Sequence, residues 1–171
     1  MQDASVSGRG RRVVLVGCVK TKLDHAAPAE DLYVSPLFRR RREFAESTGR
    51  PWFVLSAKYG LLAPGELVAP YDLAMASQSA GYRSAWAEFV TEQLINALGS
   101  IRGVHFEMHA GAAYVGPLEP ILRARGATVS APLRGLTQGQ HLAWYAARVP
   151  CGQRSGTSRR RRAASSGSSR A

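Results

Sequence analysis

Residues 13–17, Val-Val-Leu-Val-Gly, constrain this chain more than any other stretch. The run is short, wholly apolar, rich in β-branched residues and ended by glycine. It reads as a strand of a parallel sheet, buried on both faces. A strand of that kind needs helical layers above and below it. Three further strand patterns, each followed by a helical one, supply the remaining parts.

Residues 18–34 form a long loop. Ser35-Pro36 then places an N-cap before a proline at the first helical position, and Gly49 ends the helix after Thr48. The buried stripe of that helix is Leu37, Phe38, Phe44 and Ala45, with the stem of Arg41 between. Arg39, Arg40, Arg42, Glu43 and Glu46 lie on its other face. Residues 52–56 are the second strand, and another long loop, rich in glycine and proline, follows. Trp86, Phe89, Val90, Leu94, Ala97 and Leu98 share one face of a helix over 81–98. Residues 103–108 alternate as a third strand, and a helix follows over 114–124, with Pro117 and Pro120 near its start. Residues 127–131 are a fourth strand, and a last helix spans 138–148. The expected fold is a single three-layer α/β domain over residues 13–150. It has a mostly parallel four-stranded sheet with helices on both faces. Residues 1–12 read as a flexible basic start, and 151–171 as a disordered tail rich in arginine and serine.

The net charge of +11 is unevenly spread, with +2 in residues 1–12, +6 in 151–171 and only +3 in the body. The basic character alone is therefore no sign of nucleic-acid binding. At 45% hydrophobic the chain can build a core, and fibrous and disordered classes are excluded. No window reaches about 18 apolar residues, so no membrane span or membrane partner is expected. The first residues lack the apolar segment of a signal peptide, so the expected location is cytoplasmic. Cys18 ends the first strand and Cys151 opens the tail, which gives neither a disulfide pair nor a zinc cluster. No metal and no cofactor is expected: the sequence holds no HExxH, no GxxxxGK[ST], no GxGxxG and no Gly-x-Ser-x-Gly.

Ligands of an open parallel sheet bind beyond the carboxyl ends of its strands. The segments expected there carry Cys18, Lys20, Lys22, Ser56, Lys58, Tyr59, Tyr71, Asp72, His109, Tyr114 and Arg134. This mixture of cations and hydroxyls suits a substrate with a phosphate or carboxylate beside a planar polar ring. Asp72 is the candidate general base, and His109 or Tyr59 the group that holds a leaving base. Cys18, Lys20, Lys58, Tyr71, Tyr114 and Arg134 are candidate ligand contacts. His109-Ala110-Gly111 ahead of a helix also offers backbone N–H groups to an anion.

The strings VGCVKTKLDHAAPAEDLYVSPLFRRRREFA, LSAKYGLLAPGELVAPYD, HAGAAYVGPL and PLRGLTQGQHLAWY resemble a widespread bacterial and phage family of small α/β proteins of unknown function. More distantly the chain is similar to YaaA-like and uracil-DNA-glycosylase-like domains. That resemblance implies a nucleobase, nucleotide or nucleic-acid ligand, and it adds Ser35 to the expected ligand contacts.

Three readings compete. The first is a hydrolase, of N-glycosidase type, acting on a nucleotide or nucleobase. The second is a non-catalytic nucleic-acid-binding protein whose Arg39, Arg40 and Arg42, with the arginine runs of both termini, contact phosphates. The third is a protein-interaction domain, which explains the termini but not the two long loops.

Overall fold

The computed structural model describes residues 10–149, so the expected basic start lies almost wholly, and the arginine-rich tail wholly, outside the described residues. At the centre is a five-stranded sheet. In chain order its strands are β1 (Arg12–Gly17), β3 (Trp52–Ser56), β4 (Gly60–Leu62), β6 (His105–His109) and β7 (Thr128–Ser130), and its spatial order is β4-β3-β1-β6-β7. β1 pairs in parallel with β3 on one side and β6 on the other, and β7 continues parallel to β6. Between β1 and β6 the chain reverses the direction in which it lays strands down. Folds of this class form their crevices at that point.

The four expected strands and four expected helices are present, but the sheet is not a four-stranded parallel one. The loop after β3 turns back through Gly60, with φ at +76°, and lays β4 antiparallel on the outer side of β3. Three residues are too few to display a strand period, so β4 was invisible in the sequence pattern. A separate two-stranded ribbon joins β2 (Ala27–Pro28) to β5 (Leu67–Val68), next to the one-turn helix α1 (Ala29–Leu32). The two long loops are thus fastened to each other. Ala29 N–H donates to Glu66 O at 2.8 Å, and Glu30 N–H to Pro64 O at 2.9 Å.

The helices divide by face as the period-two alternation of β1 requires. Val13 and Leu15 point to α3 (Ala80–Leu98) and α4 (Ala112–Ala124), where they meet Trp86, Val90, Leu94, Leu118 and Leu122. Val14 and Val16 point to α2 (Pro36–Ser47), where they meet Phe38 and Ala45. α5 (Gln138–Ala146) packs beside α2, with Tyr145 against Leu37 and Leu133. Local capping fixes three of these helices. Ser35 Oγ accepts from Phe38 N–H, Ser79 Oγ accepts from Tyr82 N–H, and Thr137 forms a reciprocal box with Gln140.

The outer strands are tied down by side chains. On β4, the Gln93 amide accepts from Leu61 N–H at 2.7 Å and donates to Leu61 O at 3.4 Å and Tyr59 O at 3.3 Å. On β7, Arg123 Nη2 donates to Val129 O at 2.8 Å. Gln93→Ala should therefore cost about 1–2 kcal/mol of stability, the size of a few partly exposed hydrogen bonds. Urea unfolding would show this as a lower midpoint at unchanged slope, and an unmoved midpoint would refute the assignment.

Candidate functional site

Cys18 stands at the carboxyl end of β1 and is 9% exposed. Its Sγ lies 2.9 Å from the hydroxyl of Tyr114, which rises from the first turn of α4. Tyr71 O–H, from the loop after β5, donates to the same sulfur at 3.5 Å. Ser56, the last residue of β3, donates Oγ–H to the Tyr71 oxygen at 2.7 Å, and the Tyr33 hydroxyl lies 3.0 Å from that oxygen. Tyr71 has one proton, and it goes to the sulfur. Tyr33 must then be the donor of its pair with Tyr71. The protons of Ser56 and Tyr33 thus point toward Tyr71, and that of Tyr71 toward Cys18. Tyr59 N–H closes the loop by donating to Ser56 Oγ at 3.1 Å.

Burial, and next the nearby Cys18, push the hydroxyls of Tyr33, Tyr71 and Tyr114 far above the ordinary tyrosine range. All three therefore stay protonated donors at neutral pH. Lys22 Nζ sits 4.3 Å from the centre of the Tyr71 ring and donates to Lys20 O at 3.1 Å. Desolvation lowers its pKa, while the neighbouring Cys18 and Asp72 oppose that shift, which puts Asp72 within electrostatic reach of the same ammonium group. Tyr59 stacks edge-on to Tyr71 at 5.4 Å, and Lys58 lies over the Tyr59 ring at 5.2 Å. Lys20, Lys58 and Asp72 are exposed at the rim.

The structure thus joins Cys18, Tyr71 and Tyr114 by hydrogen bonds and sets Tyr59, Lys58, Lys20 and Asp72 around them. Other expected site residues lie elsewhere. Ser35 is occupied as the cap of α2. Arg134 pairs with Glu119 in the body of α4. Arg42 is held by Glu30, Asp31 and Glu46, which locks α1 to α2, and Arg40 pairs with Glu43. Of the three arginines expected on phosphates, only Arg39 is without an acidic partner among the described residues.

His109 is fully buried beneath α5, against Phe44 and Trp144. Glu107 accepts from its Nε2 at 3.0 Å, so Nδ1 is left to accept from Tyr145 O–H at 2.7 Å. Neither nitrogen is left for a ligand, and the ring serves to anchor α5.

Two groups missed in the sequence complete the site. Tyr33 lay in a stretch read as loop. Arg41 was expected with its stem in the buried stripe of α2, but not in the site. It is 4% exposed, and its Nη1 donates to Gly17 O at 2.9 Å, at the end of β1.

Residues 13–147 match the model of a family of unknown function, DUF6884. The chain belongs to this family. It is also similar to the uncharacterized protein YfjM of Bacillus subtilis (strain 168), at 34% identity over 70 residues, or 37% of this chain and 47% of that protein. The chain thus spans about half the length of this curated relative. The DUF6884 match covers every residue of the Cys18 network and the α5 anchor, so both lie within the family's own unit.

Burial depresses the His109 pKa from the ordinary value of 6.5, although Glu107 pulls it the other way. The unfolded chain therefore takes up a proton where the folded chain resists it. The contribution to stability is complete above about pH 6.5 and is lost as the pH falls from there toward the folded-state value. His105 shifts in the same direction. The urea midpoint should drop between about pH 7 and about pH 5. His109→Gln should lower it at both values and make the drop shallower; an equally steep drop would show that His109 does not carry it.

Proposed function

We propose that this chain is a hydrolase acting on a nucleotide or nucleobase, with cleavage of an N-glycosidic bond as its reaction. The observation that supports this is the composition of the crevice at the ends of β1, β3 and β6. Its floor is a connected set of protonated hydroxyls around Cys18, and its rim carries Lys20, Lys22 and Lys58 with Asp72 beside Lys22. A floor of neutral hydroxyls suits the polar edge of a planar base, since it surrounds the ring with polar groups without adding charge. The rim cations suit a phosphate.

In this reading Asp72 orients a water molecule toward C1′ of the sugar. The bond from C1′ to the base nitrogen breaks, and its electron pair leaves with the base through an oxocarbenium-like state. The water oxygen bonds to C1′ and its proton passes to Asp72. A hydrogen bond from the Tyr59 hydroxyl stabilises the charge that develops on the departing base, in the way an oxyanion hole acts. Tyr59, half-buried and edge-on to Tyr71, takes the leaving-base role expected of Tyr59 or His109, because His109 has no free nitrogen. The reading leans on this pocket. The likeness to YaaA-like and uracil-DNA-glycosylase-like domains points the same way, but neither the DUF6884 match nor the YfjM relative extends to it.

The test is release of free base by the full chain from a panel of nucleosides, nucleotides and single-stranded oligonucleotides, followed chromatographically. Asp72→Asn should reduce turnover by about 100-fold or more, the usual weight of a positioned base. Turnover within about twofold of the parent would remove Asp72 from the mechanism, and absence of base release from every substrate would remove the reaction.

A further inference from the structure

Helix α4 starts directly beyond β6, and its N-cap is Gly111, which has no side chain to offer the first turn. The N–H groups of Ala112 and Ala113 have no acceptor among the described residues. The space before them is open: Gly111 and Ala112 are exposed, and a Cβ built on Gly111 would meet nothing within 4 Å. Uncapped N–H groups at the positive end of a helix attract anions, although by themselves they establish no site.

Arg41 is the independent second observation. Its side chain is almost wholly buried; Nη1 donates to Gly17 O at 2.9 Å, Nε has no hydrogen-bond partner, and no carboxylate is found paired with it among the described residues. A guanidinium group that far from water ordinarily has a counter-charge. Its position is fixed by Gly17. A Cβ at Gly17 would lie 3.5 Å from Arg41 Nη1 and 2.7 Å from the Cβ of Ala110, the residue just before the α4 cap. The cation therefore abuts the junction of β1 with the start of α4. The Tyr114 hydroxyl, from the same first turn, and Cys18 Sγ lie within its field.

We infer that the open surface before the first turn of α4, beside the end of β1, binds an oxyanion. The Ala112 and Ala113 N–H groups would make the direct hydrogen bonds, and Arg41 would supply fixed positive charge from beneath. Resting on the nucleotide reading above, the anion is the phosphate of a nucleoside monophosphate, placed at the β1–β6 switch point. The same chemistry would hold a carboxylate, so the experiment includes both sources.

The full chain is titrated calorimetrically with inorganic phosphate, acetate, adenosine and adenosine monophosphate. The decisive variant is Ala112→Asp. A carboxylate in the first turn suits the helix dipole, so the fold is kept while an incoming anion is repelled. Phosphate and the nucleotide should bind the parent and lose at least about tenfold in affinity in the variant, with adenosine unchanged. Acetate binding with the same loss, and no phosphate binding, also supports the site and names the carboxylate as its ligand. Equal affinity in parent and variant overturns the inference, as does absence of binding by phosphate, acetate and nucleotide alike up to about 10 mM. If phosphate binds and Ala112→Asp abolishes it while no substrate releases base, the glycosidase reading falls and the oxyanion site stands. If base release proceeds and nucleotide affinity ignores Ala112→Asp, the reverse holds.

Discussion

Strand β1 is sealed on both faces and bonded on both edges. Val13, Val14, Leu15 and Val16 are fully buried, and parallel ladders run to β3 and β6. A strand held that way has no freedom except at its carboxyl end. The residues at that end, Gly17 and Cys18, inherit its rigidity. Gly17 cannot be larger, since a Cβ there would meet Ala110 at 2.7 Å. That close approach brings the ends of β1 and β6 together. It lets Arg41 of α2 and Tyr114 of α4, from opposite faces of the sheet, meet over one spot. Loop residues Lys22, Tyr33 and Tyr71 converge on it, and the β2–β5 ribbon ties their loops together.

The chemistry of that spot follows from what was buried there. Between the core and the rim the chain places hydroxyls, a thiol and a guanidinium, and it keeps Asp72 outside. Buried carboxylates would have needed their own counter-charges. Tyrosines can be taken out of water at lower cost, provided each hydroxyl finds a partner, and here they partner one another. The second buried polar chain, from Glu107 through His109 to Tyr145, runs along the face covered by α2 and α5. Burial lowers the Arg41 pKa and the neighbouring Tyr145 opposes that shift, so the docking of α5 bears on the guanidinium as well.

The parts legible in the sequence were those with a period. The parallel strands and the long helices showed themselves through apolar spacing, and Ser35-Pro36 and Gly49 marked the ends of α2. The antiparallel β4, the β2–β5 ribbon and α1 run for two to four residues, too short for spacing to reveal. In the site, Cys18, Tyr71 and Tyr114 were legible because the strand ends locate them. His109 was placed correctly at a strand end, yet its face depended on the parity of β6, which turns His105, Glu107 and His109 away from α3 and α4. Arg41 was legible as part of the buried stripe of α2, but helical spacing does not show that its guanidinium reaches the carbonyl of Gly17 at the end of β1.

The side chains that tie down β4 and β7 bear on how copies of this protein can meet. An open sheet ordinarily ends in a row of unanswered backbone groups, which can accept a strand from another molecule. Here the amide of Gln93 takes the place of such a strand along β4, and the guanidinium of Arg123 occupies the Val129 carbonyl on β7. Growth of the sheet from one molecule into the next is thereby discouraged at both ends.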